Sequence, residues 1–356
     1  MKKYFWPIAL LVLIAFRQMA GSTVLETFYS RGLYLFLHHV LSLVSAISPI
    51  PLIYLLGFGT LVFLAIRFRQ WRRVSAGRRR KVLLLLRGSC SFLSAVAFFF
   101  LLLWGLNYGR QPVEKRLNLQ VRPLGKEELL SEYKRLVDSL AVERQALLKK
   151  YPPLSDTSTW VVPPVAETLI REALEKVLSE QGYPVGLYIR LRELYPGTLL
   201  HMGTAGVYLA WSGEGHYDGG LHSLQKPFVM AHEMAHGYGF GDEGICNFWA
   251  WLACTRSENL LLRYSARLAY WRYVRAALQH LSPETFRQAE EHLPKGLQND
   301  LMAIQRQMAR YPDILPQWRN LVYETYLKSQ GVKEGLKSYS RLPMLIKAWQ
   351  LKKQKD

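Results

Sequence analysis

Residues Pro227–Glu243 read PFVMAHEMAHGYGFGDE, and this stretch decides what kind of domain the chain must build. Pro227 suits the first turn of a helix, Phe228 to Ala231 are apolar, and Gly237 and Gly239 stop the helix after about three turns. Within it, His232-Glu233-Met234-Ala235-His236 places two imidazoles four residues apart, one turn apart on one helix face, where both can reach a single zinc ion. Glu233, next to the first histidine, then faces the metal's water and can act as general base. Gln225 and Lys226 precede the motif and Asp242 and Glu243 follow it. Far fewer apolar residues remain between them than the ~20 a membrane span needs, so the site belongs to a soluble domain.

A zinc with three protein ligands and an open fourth position is the catalytic pattern, so a third ligand is required. Two neighbours compete for it. His232 to Asp242 spells HExxHxxGxxD, the metzincin spacing with Asp in place of the third His. Glu243, one residue on, begins a second helix, as in zincins whose third ligand is a glutamate on the following helix. An acid held in a helix's first turn is favoured, and no Met-turn follows, so Glu243 is the expected ligand and Asp242 the alternative.

Around this site the chain runs to 356 residues, half of them apolar, with a formal charge of +19. A surplus that large first points to phosphate binding. Residues 1–110, however, carry 14 basic groups against the single acid Glu26, a net of +13, which leaves +6 for the other 246 residues. Eight basic groups lie between Arg67 and Lys81 with no acid among them, flanked by apolar stretches. That is the pattern of a cytoplasmic loop between membrane spans rather than a nucleic-acid surface, and no nucleic-acid partner is expected.

Tyr4–Phe16, Pro51–Ile66 and Val82–Tyr108 are the expected spans, the first a retained anchor because Gln18 and Met19 do not fit a signal-peptidase site. Leu33–Ile47, with His38 and His39 and ending at Pro49, is expected to lie on the outer surface, both histidines as interfacial polar groups. With the 67–81 loop inside, residues after Tyr108 are extracytoplasmic whether or not the first segment is kept. Cys246 and Cys254 sit eight apart on one helix, too far for a disulfide.

In the outer part, 126–151 and 166–181 read as helices, 186–194 and 206–211 as strands, and the chain from Pro227 as helices nearly to its end, with Pro152, Pro153, Pro163 and Pro164 bracketing a connector. The expected fold is thus N-terminal transmembrane helices (residues 1–110) followed by an α+β, mostly helical domain (residues 111–356).

Beyond these motifs the chain resembles the bacterial membrane-anchored HExxH proteins of unknown function that are grouped with zincin-like metalloproteases. The resemblance rests on Trp104-Gly105-Leu106-Asn107-Tyr108 with Arg110, Gly206–Glu214, Pro227-Phe228 leading into HEMAH, and Gly239-Phe240. It continues through Glu243, Asn247-Phe248, Leu252-Ala253-Cys254, Arg263-Tyr264-Ser265, Tyr326-Leu327-Lys328 and Ser338-Tyr339. It implies a zincin-like domain and a zinc peptidase acting on extracytoplasmic protein or peptide. The family tends to carry an acid and an alanine before the Asn, where this chain has Ile245 and Cys246. That departure motivates the alternative of a non-catalytic membrane receptor or scaffold with a structural or vestigial metal site. Glu214, at a family position, and His216 follow the 206–211 strand where zincins run an edge strand along bound peptide. Tyr238, Tyr264 and His222 are candidates for holding an oxyanion near the metal.

Overall fold

The computed structural model describes residues 4–75, 77–151, 160–331 and 341–355; Pro152, Pro153 and Ser338-Tyr339 lie outside them. The chain is mostly helical with one small sheet, and it divides into two compact units, residues 1–111 with 209–214, and 112–208 with 215–356.

The first unit contains α1 (Phe5–Met19), α2 (Tyr34–Ile47), α3 (Leu52–Arg73) and α4 (Arg78–Leu103). Among the described residues, α3 and α4 are long and apolar enough to cross a membrane, and α1 qualifies only if joined to Ser22–Ile47 across a bend of 110°. The expected first span contains a 15-residue helix, after which the chain passes Gly21 and a π-helical stretch, Leu25–Leu33. Within the basic run, α3 continues through Arg73 and α4 begins at Arg78, arginine being a strong helix former. Of the two histidines expected at an interface in Leu33–Ile47, His39 is exposed but His38 is not. His38, Ser42 and Ser45 form one buried face of α2, with His38 wholly inaccessible. Arg110 and Glu26 form a buried ion pair at 2.9 Å, with Arg31 on the same carboxylate at 3.0 Å. Within this unit the 209–214 segment is tied down by Glu214, which accepts from Ser45 Oγ at 2.7 Å and from the Leu52 backbone N–H at 2.8 Å. A carboxylate thereby satisfies an orphan donor at the N-terminus of α3.

The second unit is built on α5 (Lys126–Lys150) and α6 (Ala166–Glu180), a sheet of β1 (Leu191–Leu194), β2 (Gly206–Leu209) and β3 (Glu214–Asp218), and then α7 (Lys226–Gly237), α8 (Glu243–Thr255), α9 (Leu260–Leu281), α10 (Pro283–Glu291), α11 (Lys295–Met308), α12 (Pro316–Ser329) and α13 (Leu342–Lys353). The leucines of α5 (Leu129, Leu136, Leu140, Leu147) are buried and α5 packs along α9. Trp249 and Trp271 sit at the centre of the core, fully buried.

The sheet order is β1-β3-β2, with β1 parallel to β3 and Leu191 opposite Gly215. Two strand expectations shrink: 186–190 is not strand, and β2 stops at Leu209. The central strand β3 was not legible in the sequence, because EGHYD alternates charges with a glycine rather than apolar residues. Its Asp218 is buried and accepts the N–H groups of Gly197, Leu199, Leu200 and Gly220 at 2.7 to 3.1 Å, which closes the loops at that end of the sheet.

Candidate metal centre

Helix α7 starts with Pro227 in its first turn and ends where Gly239 takes φ +81°, a left-handed conformation that glycine adopts without steric cost. Three residues later Asp242 caps α8, its carboxylate accepting from Ile245 N at 2.9 Å. The tight turn packs α8 directly against α7 and sets Glu243, the first residue of α8, over the histidine pair.

His232 Nε2 lies 3.0 Å and His236 Nε2 3.3 Å from Glu243 Oε2, and the two Nε2 atoms are 3.1 Å apart. All three side chains are buried. The group can hold a metal ion: its ligand atoms lie within 4.8 Å of one another. The surroundings favour a cation there. His236 Nδ1–H donates to the Phe240 carbonyl at 2.8 Å, an acceptor only, which leaves Nε2 as a lone pair turned inward. His232 Nδ1–H donates to Asn247 Oδ1 at 2.9 Å, while Asn247 Nδ2 donates to Tyr273 at 3.1 Å and so fixes the amide's orientation. Two imidazoles and a carboxylate in contact need a positive charge among them, either a proton on an imidazole or a bound cation. These outer hydrogen bonds are the kind that orient metal ligands. Cys246 Sγ lies 3.3 Å from both His236 Nδ1 and Phe240 O, and burial pushes its thiol up to about 12.

Burial works against ionisation of Glu243, yet when the imidazoles carry a proton toward it their charge and hydrogen bonds outweigh burial and hold the carboxyl well below its usual range. Its other oxygen, Oε1, accepts from Tyr323 Oη on α12 at 2.9 Å. Asp242 is occupied elsewhere: besides capping α8 it accepts from Arg341 at 3.1 Å.

Glu233 is buried against the sheet. Burial, with Glu243 adding to it, raises its carboxyl to about 7 against the opposing pull of the imidazoles and the Tyr208 N–H. Its Oε2 has no hydrogen-bond partner among the described residues. The room it occupies exists because residues 206 and 215 are glycines: a Cβ at Gly206 would stand 2.5 Å from Glu233 Oε1, and one at Gly215 3.2 Å from Glu233 Cβ.

The structure disperses the other candidates. Glu214 serves the N-terminus of α3, and His216 is wholly buried in β3 opposite Arg192. Tyr238 donates to Glu175 at 2.9 Å, burial raising its phenol. Tyr264 donates to the buried Asp300, which Arg144 also holds. His222 accepts from Leu224 N at 3.3 Å and lines a separate cavity of about 500 Å³ with Trp160, Glu167 and Tyr217. The tyrosine that does reach the centre, Tyr323, lies 80 residues beyond Glu243, and no spacing in the sequence marks it.

A family model described as "Protein of unknown function (DUF3810)" matches residues 29–347. No curated protein and no solved structure matches the chain.

Proposed function

The chain belongs to the DUF3810 family of proteins of unknown function, and from that premise we propose that it is a membrane-anchored zinc metallopeptidase with a zincin-like domain that hydrolyses extracytoplasmic protein or peptide. The observation that carries this reading is the convergence of His232, His236 and Glu243 from two packed helices, with the buried Glu233 one residue from the first of them. Two imidazoles and one carboxylate form a donor set suited to zinc, and three protein ligands leave the open position that catalysis requires. Zinc held there would supply Lewis-acid activation of a water and of the scissile carbonyl.

The chain's own residues do the rest. Glu233 takes the proton of the attacking water and passes it to the leaving amine. Asn247 and the Phe240 carbonyl keep both imidazoles in the binding tautomer. β2 is an edge strand whose Tyr208 N–H bonds Glu233, so an extended peptide added along its free edge would bring a backbone carbonyl beside the base.

The positive-inside bias puts the Arg67–Lys81 groups in the cytoplasm, α3 and α4 across the membrane as a hairpin, and the metal centre outside, in a multi-pass topology. The test is direct. Glu233→Gln should keep one zinc per chain by elemental analysis while cleavage of extracytoplasmic peptides, compared between wild-type and variant cells, disappears; His236→Ala should lose the zinc. Purified protein without stoichiometric zinc would sink the proposal, and identical cleavage products in wild-type and Glu233→Gln cells would favour the receptor or scaffold.

A further inference from the structure

Helix α12 has two faces of opposite character. Tyr323 and Leu327, four residues apart, point inward, the first donating to Glu243 and the second fully buried. On the other side Trp318, Leu321 and Val322 are 68%, 62% and 60% exposed, a quarter-turn arc at 100° per residue that lies more than 90° from Tyr323. Ile314 and Leu315 at the helix entrance and Met202 are exposed as well. Single exposed apolar residues are ordinary, but a large aromatic and several aliphatics on one helix face mark an interaction surface.

We infer that this face of α12 rests in the interfacial layer of a lipid bilayer. One face of a single helix is convex and offers no groove for an inserted peptide. Its composition, a tryptophan beside branched aliphatics with the exposed Lys328 paired to Glu324 near the helix end and the exposed Arg310 six residues before the helix, is that of a helix lying at the boundary between headgroups and acyl chains. The chain also carries two helices fit to cross a membrane, so a bilayer is tethered to it at high effective concentration and a modest interfacial affinity is enough. Lipid contact on the outer face then steadies the helix whose inner face holds Glu243. The lipid contact itself does not rest on the peptidase reading.

The experiment uses the full-length protein with Cys90→Ser, since Cys246 and Cys254 are buried. A single added cysteine, Leu321→Cys, or Glu284→Cys on the exposed surface of α10 as control, is labelled with a small fluorophore. Each is reconstituted into bilayer discs of phosphatidylcholine with plain or dibrominated acyl chains. The label at position 321 should be quenched at least twofold by the brominated chains and shielded from aqueous iodide, with the label at position 284 showing the reverse. Equal behaviour at the two positions would overturn the inference. Shielding from iodide without quenching by bromine would also overturn it, assigning the face to a protein partner or a second copy. Val322→Cys repeats the measurement independently of Leu321.

Discussion

At the scale of single residues, the geometry of the centre depends on two positions where nothing larger than hydrogen fits. Gly206→Ala would drive a methyl into Glu233 Oε1 and the His216 carbonyl, at 2.5 and 2.8 Å in the present arrangement. Glu233 must then swing away from the histidine pair while His232, His236 and Glu243 stay put. A displacement of about 1 Å in a catalytic group costs on the order of 100-fold in rate. Gly206→Ala should therefore lower turnover by 10- to 100-fold with zinc content unchanged; loss of the metal instead would show that the sheet supports the ligands rather than the base. Which residues matter was only partly legible beforehand. His232, Glu233 and His236 are local, an i, i+4 pattern on one helix. Asp242 and Glu243, by contrast, are adjacent, and ligand spacing does not separate them: the cap hydrogen bond to Ile245 and the ion pair to Arg341 do. Tyr323 is brought in by packing across 80 residues and leaves no local trace.

At the scale of elements, the turn between α7 and α8 is the device that assembles three ligands from two helices. Its geometry depends on Gly239 in the left-handed region and on the Asp242 cap. Asp242→Ala removes the cap and one acceptor of Arg341, a loss of about 1–2 kcal/mol. That is roughly 2–8 °C in Tm for a domain of this size. Zinc stoichiometry should stay at one per chain; a fall would make Asp242 a ligand. Helices with strong periodicity, such as α5 and α6, could be read directly, since their apolar stripes record the core they face. β3 could not. Its buried polar residues are satisfied by partners remote in sequence, Asp218 by four backbone N–H groups and Glu214 by Ser45 and Leu52, so burial left no apolar alternation to read. For α1 the apolar stretch recorded lipid affinity but not the 110° bend that follows it.

At the scale of the whole molecule, a metal bound between α7 and α8, as proposed, would also be a folding contact. A ligand present at about 100 times its Kd and absent from the unfolded chain stabilises the native state by about 2.7 kcal/mol. Stripping the metal with a chelator should lower Tm by roughly 5–10 °C, reversed by stoichiometric zinc. An unchanged Tm would mean that the three ligands hold no tightly bound ion. Chain topology has a further consequence for how the gene can be cut. Residues 209–214 cluster with the first 111 residues, although most of β2 and most of β3, on either side of them, belong to the second unit. The boundary between the units is therefore crossed three times rather than once. A truncated chain beginning at Pro112 would keep Trp211 and Glu214 but lose Phe100, against which Trp211 packs, and the Ser45 and Leu52 donors that satisfy the buried carboxylate. The second unit is therefore not a cassette that a single cut at Pro112 would release intact.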